Sequence, residues 1–599
     1  MTVLVPRHFK IHQAIQTFES LSETNPTRYY FFIAKSYAIA NSIPLTGTVT
    51  TLTSSNTVTG QGTYFTSELA IGDRIAFTDQ TQTVRVHAIT NASSLIVTPR
   101  PNGSNTTGAN AYLRKLFSEQ YPPAVEDTYQ NTYYDIWRNM IALKKVQISD
   151  ASHVTRRYNW ATNHYYDIYD DQDSALYDQE FYTLTDPEQN VYKCIDNNGG
   201  ANSTVKPTGT DPSSIINTAD GYRWKYMYTI SAGEILKFRS ADYMPVKTLK
   251  ENDGSAQWSV QTNAANGAIN HIKVIAGGDG YFSTNGLFSS VTNAIAFTLR
   301  SVSLKPDGEW VGSGLFISEG VAAGEYRKIV TYHAANNMVI VNSAFSTTPD
   351  VTSRYVISPL VTIRGDSGGT TTSRATAYVS NTQGGQVRYV KIIQQGRSYS
   401  TANVTISAKT GFGATARPII PPKGGHGSDP VDELFGTSVM MNIKTTGSES
   451  NTFPTNNDFR IIGVVRDPVL ANGSFANSSV IDQTTRIGVN FATGDFTGDE
   501  IVVGQKSGAK ARLVYFANTN DARTQGTLKM IRVTTNGVGK GFETNELVVG
   551  QTSGITANVV SVTKPALKLF SGVVIYTEIR DPVFRSPAQS EDYKITISY

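Results

Sequence analysis

The stretch DGYRWKYMYTI, residues 220–230, decides the fold. Its aromatics, Tyr222, Trp224, Tyr226 and Tyr228, fall on every second residue, with Arg223, Lys225 and Met227 between them. A period of two is the mark of a strand with one buried face, and Asp220-Gly221 supplies the turn that launches it. Four rings, each able to bury roughly 150–250 Å², make this strand the expected spine of a core sheet.

Four further segments belong with it: DIWRNMIALKKV at 135–146, YNWATNHYYD at 158–167, NDFRIIGVVRDP at 457–468, and SGVVIYTEIRDPVFRSPAQSEDYKITISY at 571–599. In their order and spacing the five resemble the baseplate wedge protein called gene product 8 in tevenvirus-type contractile-tailed phages, and the resemblance covers about half of the chain. It implies a core of packed β-sheets with helical loops, a homodimer, contacts to other baseplate wedge proteins and tail fibres, and a place in the virion tail. Trp137, Trp160, Trp224, Tyr226 and Arg580 fall on positions that match the family's motifs, where a core or interface role is implied. Three β-rich insertions are extra to the family pattern.

The totals bound the rest. A chain of 599 residues is too long for one core and suggests about three or four domains. Charged residues make up 17% and the net charge is +3, too balanced for nucleic-acid wrapping, which needs clustered Lys and Arg. The 49 Gly and 31 Tyr, with abundant Thr, Ser and Asn, describe a β-rich, turn-rich protein. Cys194 is the single cysteine, so stability must come from packing or assembly rather than disulfides. MTVLVPRHFK at the start has no long apolar run, so no signal peptide is expected. No stretch reaches the ~20 apolar residues of a membrane span. A soluble protein made in the host cytoplasm is the expectation.

Taken in order, residues 1–43 open the core with an amphipathic segment at 8–21 and the apolar run RYYFFIA at 28–34, read as a buried strand. Residues 44–112 form an inserted small β module. Its piece VTGQGTYFTSELAIGDRI, 58–75, resembles a small β-barrel module common in phage tail proteins, with Phe65, Leu69 and Ile71 as core and Gly72-Asp73 as a turn. Residues 113–250 resume the core, with a helix predicted over 135–145 from the spacing of Ile136, Met140 and Leu143, an exposed acidic loop at 167–180, and a long loop at 197–214. Residues 251–425 are an inserted β-repeat region, 426–481 return to the core, 482–563 are a third insertion, and 564–599 supply terminal core strands, ending in the alternating YKITISY.

Two repeats run through the insertions. IKVIAGGDGYFSTN at 272–285, VKIIQQGRSYSTAN at 390–403 and IRVTTNGVGKGFETN at 531–545 each join a strand, a Gly turn and an aromatic. GDSGGTTTSRATAYV at 365–379, KTGFGATARPI at 409–419, GQKSGAKARLV at 504–514 and GQTSGITANVV at 550–560 each place a turn before an Ala-containing strand. Such units suggest small stacked β modules. The fold class is therefore mainly β: a β-sandwich core with a few short helices in loops, plus inserted small β-barrel or β-sandwich modules.

Each candidate for chemistry has a plainer reading beside it. GDSGG at 365–369 is the nucleophile motif of chymotrypsin-like proteases, but Ser367 aligns with Ser507 and Ser553 in equivalent turns, and the nearest upstream base, His333, lacks the usual flanks; a turn is the stronger reading. Asp167, Asp170, Asp171 and Asp173 have the alternation calcium favours but lack the turn Gly and terminal Glu of a calcium loop. His8 and His12 are four apart with no third ligand in view, and His153, His164 and His426 are isolated. Asp495 and Asp499-Glu500 flank a turn and single out no glycosidase pair. Tyr281, Tyr399 and Phe542 in the repeat turns could stack sugars or pack beneath their own glycines. No catalytic residue, metal or cofactor is expected. The expected function is structural, with a receptor-binding or glycan-degrading tail protein as the alternative.

Overall fold

The computed structural model describes residues 6–35, 39–69, 71–78, 83–101, 104–115, 129–300, 305–366, 374–518, 525–534 and 541–599. Strands account for 47% of the chain and helix for 10%, so the protein is mainly β, with several sheets curled or closed into small barrels. Among the described residues the six helices are short, and none is long and apolar enough to cross a membrane. The chain folds as two compact units. One contains residues up to Phe18, Ser152–Met440 and Ile595–Tyr599; the other contains Glu19–Ala151 and Met441–Lys594.

The second unit is built on a five-stranded antiparallel sheet in the order Val480–Asp482, Met140–Lys145, Tyr29–Ala34, Asn457–Arg466, Val573–Arg585. The run RYYFFIA lies at its centre with all six residues of Tyr29–Ala34 buried, as expected of a strand covered on both faces. Phe31 faces Lys144 on one side and Val464 on the other. Tyr30, Phe32, Met140, Leu143, Ile461 and Val465 form one core with Trp137. The helix expected over 135–145 is corrected here: it spans Tyr129–Asn139, and Met140–Lys145 is a strand. Ile136, Met140 and Leu143 do share a core, but because the helix packs beside the strand that follows it. Burial of Met140, Ile141, Ala142 and Leu143 alike overrides the helical spacing.

Two modules belong to the same unit. An eight-stranded sheet runs in the order Ile39–Pro44, Ala111–Lys115, Arg74–Phe77, Thr83–Asn91, Ser94–Thr98, Thr57–Gln61, Thr48–Thr51, Thr106–Ala109. Phe65 and Leu69 lie in its core with Val58, Ile75, Val86 and Leu95. Ile71 does not: it is 71% exposed, because the chain turns outward just before Gly72, whose φ of +98° sets the bend. The other module is a closed barrel of Thr485–Asn490, Gly526–Thr534, Lys510–Asn518, Ile501–Gly504, Leu547–Gly550 and Thr556–Thr563.

In the first unit the stretch that opened the sequence reading is the strand Tyr222–Thr229. It pairs with Asn190–Asn197 and the short Ile216–Asn217, and Tyr182–Thr185 completes the sheet. The expectation of one buried face is corrected: the rings are buried, but so are Lys225 and Met227. Tyr222, Trp224 and Tyr226 pack with Tyr166, Tyr192 and Cys194, while Met227 and Tyr228 join a second core with Phe181, Leu184 and Leu434. A six-stranded sheet follows in the order Leu360–Gly365, Ala402–Ser407, Phe412–Ile419, His271–Asp279, Gln386–Gln394, Thr376–Gln383. Repeat positions Ile272 and Val390 face each other in it, so the sequence repeat is a local pseudo-two-fold. Between two of these strands the chain closes a barrel of Thr284–Asn293, Ala296–Leu299, Met338–Val341, Tyr326–His333, Gly314–Glu319 and Arg354–Ser358 around Phe288, Phe297, Leu315 and Ile357.

Candidate functional site

The strand Asn190–Asn197 carries buried charge along its length. Lys193 and Glu433 have no exposed side-chain surface and lie 2.8 Å apart. The Glu433 Oε1 atom accepts from the backbone N–H groups of Gly427 at 2.7 Å and Asp429 at 3.2 Å, and the Lys193 ammonium sits 3.8 Å from the Tyr169 ring centre. Burial pulls Lys193 below its ordinary value, with Glu433 opposing the shift. Lys225, directly opposite Lys193 in the sheet, donates to the Pro212 carbonyl at 2.7 Å. His426 lies beside this pair, edge-on to Tyr169, and is driven well below the usual imidazole range by burial and then by Lys193 and Lys225.

At the end of the same strand Asp196 is fully buried. It accepts from Tyr389 Oη and from the Asn198 N–H at 3.0 Å, and it lies 3.2 Å from His271 Nδ1 and 4.0 Å from Arg223. Burial alone would raise its carboxyl, but the His271 and Tyr389 hydrogen bonds and the Arg223 charge hold it below the ordinary value. Beside it Asp170 accepts from Lys273 at 2.9 Å and from Arg417. Here too burial is outweighed, and Asp170 is held down to about 2. Asp171 accepts from the Ile420 N–H at 3.1 Å and is raised by burial.

Of these groups Asp170, His271, Lys273 and Tyr389 line a cavity of about 310 Å³, together with Tyr165, Asp167, Asp173, Gln179 and Arg388 among others. Its walls come from two directions: the 165–200 segment, and the strands His271–Asp279 and Gln386–Gln394. Asn197 fixes one rim. Its Nδ2 donates to Tyr165 Oη at 3.3 Å and to the Tyr166 carbonyl at 3.0 Å, and its Oδ1 accepts from the Gly200 N–H at 3.0 Å. The Tyr165 hydroxyl is raised by burial first and then by the negative charge of Asp167.

The acidic run is only in part the exposed loop that its composition suggests: Asp171 and Asp178 are exposed and Asp167 and Asp173 half-buried, but Asp170 is buried. Two cations from distant strands, Lys273 and Arg417, neutralise it. Among the described residues no group of three or more His, Cys, Asp or Glu side chains is placed to hold a metal ion. His8 lies 3.5 Å from Asp432, His164 lies 2.8 Å from Glu180, and His153 is buried against Phe18. Ser367 lies outside the described residues. Its neighbour Asp366 accepts from the N–H groups of Ser400 and Thr401 at 3.0 and 2.9 Å, and the repeat-equivalent Ser507 and Ser553 donate to Glu546 at 3.0 Å and Glu500 at 2.9 Å. Tyr281, Tyr399 and Phe542 are buried. A Cβ added at Gly278 or Gly411 would overlap the Tyr281 ring, and one at Gly365 the Tyr399 ring, so these two rings pack against glycines.

Three of the residues matched by motif come together. Trp224 and Tyr226 belong to one core, and half-buried Trp160 packs against it, donating to Ser203 Oγ at 3.3 Å. Trp137 is buried in the other unit, and Arg580 is exposed beside Glu578 at 2.7 Å. Sequence reasoning missed Asp196, His271, Tyr389, Lys273 and Arg417. Their only local trace is the basic residue between apolar positions of the repeat strands. Comparison of the chain with protein-family models and with curated proteins finds no match.

Proposed function

We propose that this chain is a structural subunit of the baseplate wedge of a contractile phage tail, a virion protein that holds neighbouring wedge and tail-fibre proteins together and carries no enzymatic activity. The observation that supports the reading is where the family-like segments fall. DIWRNMIALKKV, NDFRIIGVVRDP and SGVVIYTEIRDPVFR lie at 135–146, 457–468 and 571–585, far apart in the chain, yet they supply three strands of one five-stranded sheet. The module before the first of them and the barrel between the last two close on cores of their own. A scaffold assembled from dispersed segments, with self-contained modules in its loops, suits a protein that presents several surfaces to neighbours.

The edge of that sheet supports the same reading. Val573–Arg585 is its last strand, and Val573, Ile575, Ile579 and Phe584 on it are 37–61% exposed. A long apolar edge strand is a liability in a monomer and an asset in an assembly. The test is the mass of the purified full chain by light scattering, alone and then with the wedge proteins of the same phage. The expected result is a dimer that enters a larger complex on mixing. A stable trimer indifferent to those proteins would overturn the reading in favour of a fibre or receptor-binding protein.

A further inference from the structure

We propose that the cavity beside Asp196 and Asp170 is a binding site for a neutral saccharide of one or two rings. This inference goes beyond the wedge assignment and does not depend on it.

Size comes first. A volume of about 310 Å³ lies at the small end of ligand pockets, which run from roughly 300 to 1,000 Å³. Charge comes second. The lining carboxylates Asp167, Asp170 and Asp173 stand beside Lys273 and Arg388, and Asp170 and Lys273 already neutralise each other. With Asp170 already answered by Lys273 and Arg417, Asp167 and Asp173 face the cavity beside Arg388, a mixed lining that suits a ligand able both to donate and to accept. Asp167 and Asp173 offer acceptors only, while Arg388 brings N–H donors and Gln179 Nε2, which already donates to Asp173 at 3.0 Å, keeps a second hydrogen, and adjacent hydroxyls of a sugar answer both.

Shape comes third. Tyr165 is 42% exposed and stands next to Gly200, where an added Cβ would lie 3.9 Å from the ring. The ring is held in place by Asn197 and presents apolar surface at the rim. The CH face of a pyranose stacks on such a surface while its hydroxyls turn to the planar polar groups. The walls are preorganised: Asp196 is tied to His271 and Tyr389, and Asp170 to Lys273 and Arg417, so little ordering is left to occur on binding.

The test uses the full chain with glucose, galactose, N-acetylglucosamine and maltose as probes, and glucuronate and glucosamine as charged counterparts, by saturation-transfer NMR and titration calorimetry. The expected result is saturable binding of at least one neutral sugar, weakened at least about tenfold by Tyr165→Ala. Asp167→Asn, which is isosteric but removes the negative charge, should weaken it as well, while Tyr165→Phe should retain it. Circular dichroism verifies that each variant is folded. The proposal is overturned if no neutral sugar saturates, if only a charged counterpart binds, or if folded Tyr165→Ala and Asp167→Asn bind as the parent chain does.

Discussion

The closed barrel at 485–563 and the cavity region of the first unit both bury carboxylates, and they do so over opposite distances. In the barrel the partners are local and reciprocal. Glu546 accepts from the Lys506 and Ser507 N–H groups at 3.2 and 2.9 Å, and Glu500 accepts from the Thr552 and Ser553 N–H groups, both at 3.0 Å. Each acid caps the turn of the other repeat, across a pseudo-two-fold at which Val503 faces Val549. In the cavity region the partners come from afar: Asp170 with Arg417, Asp196 with Tyr389, Lys193 with Glu433. The barrel uses its acids to hold its own turns. The cavity region uses them to fasten the six-stranded sheet and the 426–434 segment to the 158–230 core. One arrangement closes a module on its own turns; the other fastens distant segments to one another.

The contrast can be broken most forcefully at Glu433. Glu433→Ala leaves the Lys193 ammonium buried and unpaired, and should cost about 3–5 kcal/mol. Denaturant unfolding followed by Trp fluorescence checks it, since Trp224 reports the core beside that strand. Asp170→Asn should cost about 2 kcal/mol and also alter the acid response. The Asp170 carboxyl is held at about 2 against an ordinary 3.8. A carboxyl depressed in the folded state contributes stability that is fully present above the unfolded value and is lost as pH falls through the folded one. The parent chain should therefore lose this contribution between about pH 4 and pH 2, and the variant should show a shallower loss in that window when melting is followed against pH.

Within the barrel the effects should be smaller and symmetrical. Glu500→Gln and Glu546→Gln should each cost about 1–2 kcal/mol through weakened turn hydrogen bonds, by like amounts because the two sites are equivalent. Unequal costs would show that the pseudo-symmetry is only in the sequence. Smallest of all is Arg580→Ala. Its partner Glu578 shares an exposed strand, and such a pair contributes about 0–1 kcal/mol, so unfolding of the isolated chain should barely move.

What could be read in the sequence follows the same division. Strand positions were legible: 220–230, the apolar run 28–34 and the described strands of the repeats are strands, and Phe65 and Leu69 lie in a core, although burial along 222–229 does not alternate. These signals are local, set by which face of a few residues meets the interior. The boundary at Asn139 was not legible, because helix and strand there feed one core and leave one spacing. Ile71 was lost to a glycine turn. The cavity was invisible for a stronger reason. Asp170 in an acidic run looks solvated until Lys273 and Arg417 are brought to it, and nothing in a window of a dozen residues foretells a partner more than a hundred positions away.

Hydrogen–deuterium exchange on the full chain, parent against Glu500→Gln, tests most directly whether the barrel is a self-contained module carried by the scaffold. The account predicts that protection falls within 485–563 alone, while Tyr29–Ala34 and Asn457–Arg466 exchange as in the parent. Loss of protection spreading into those two central strands would contradict it, and would mean that barrel and scaffold fold as one.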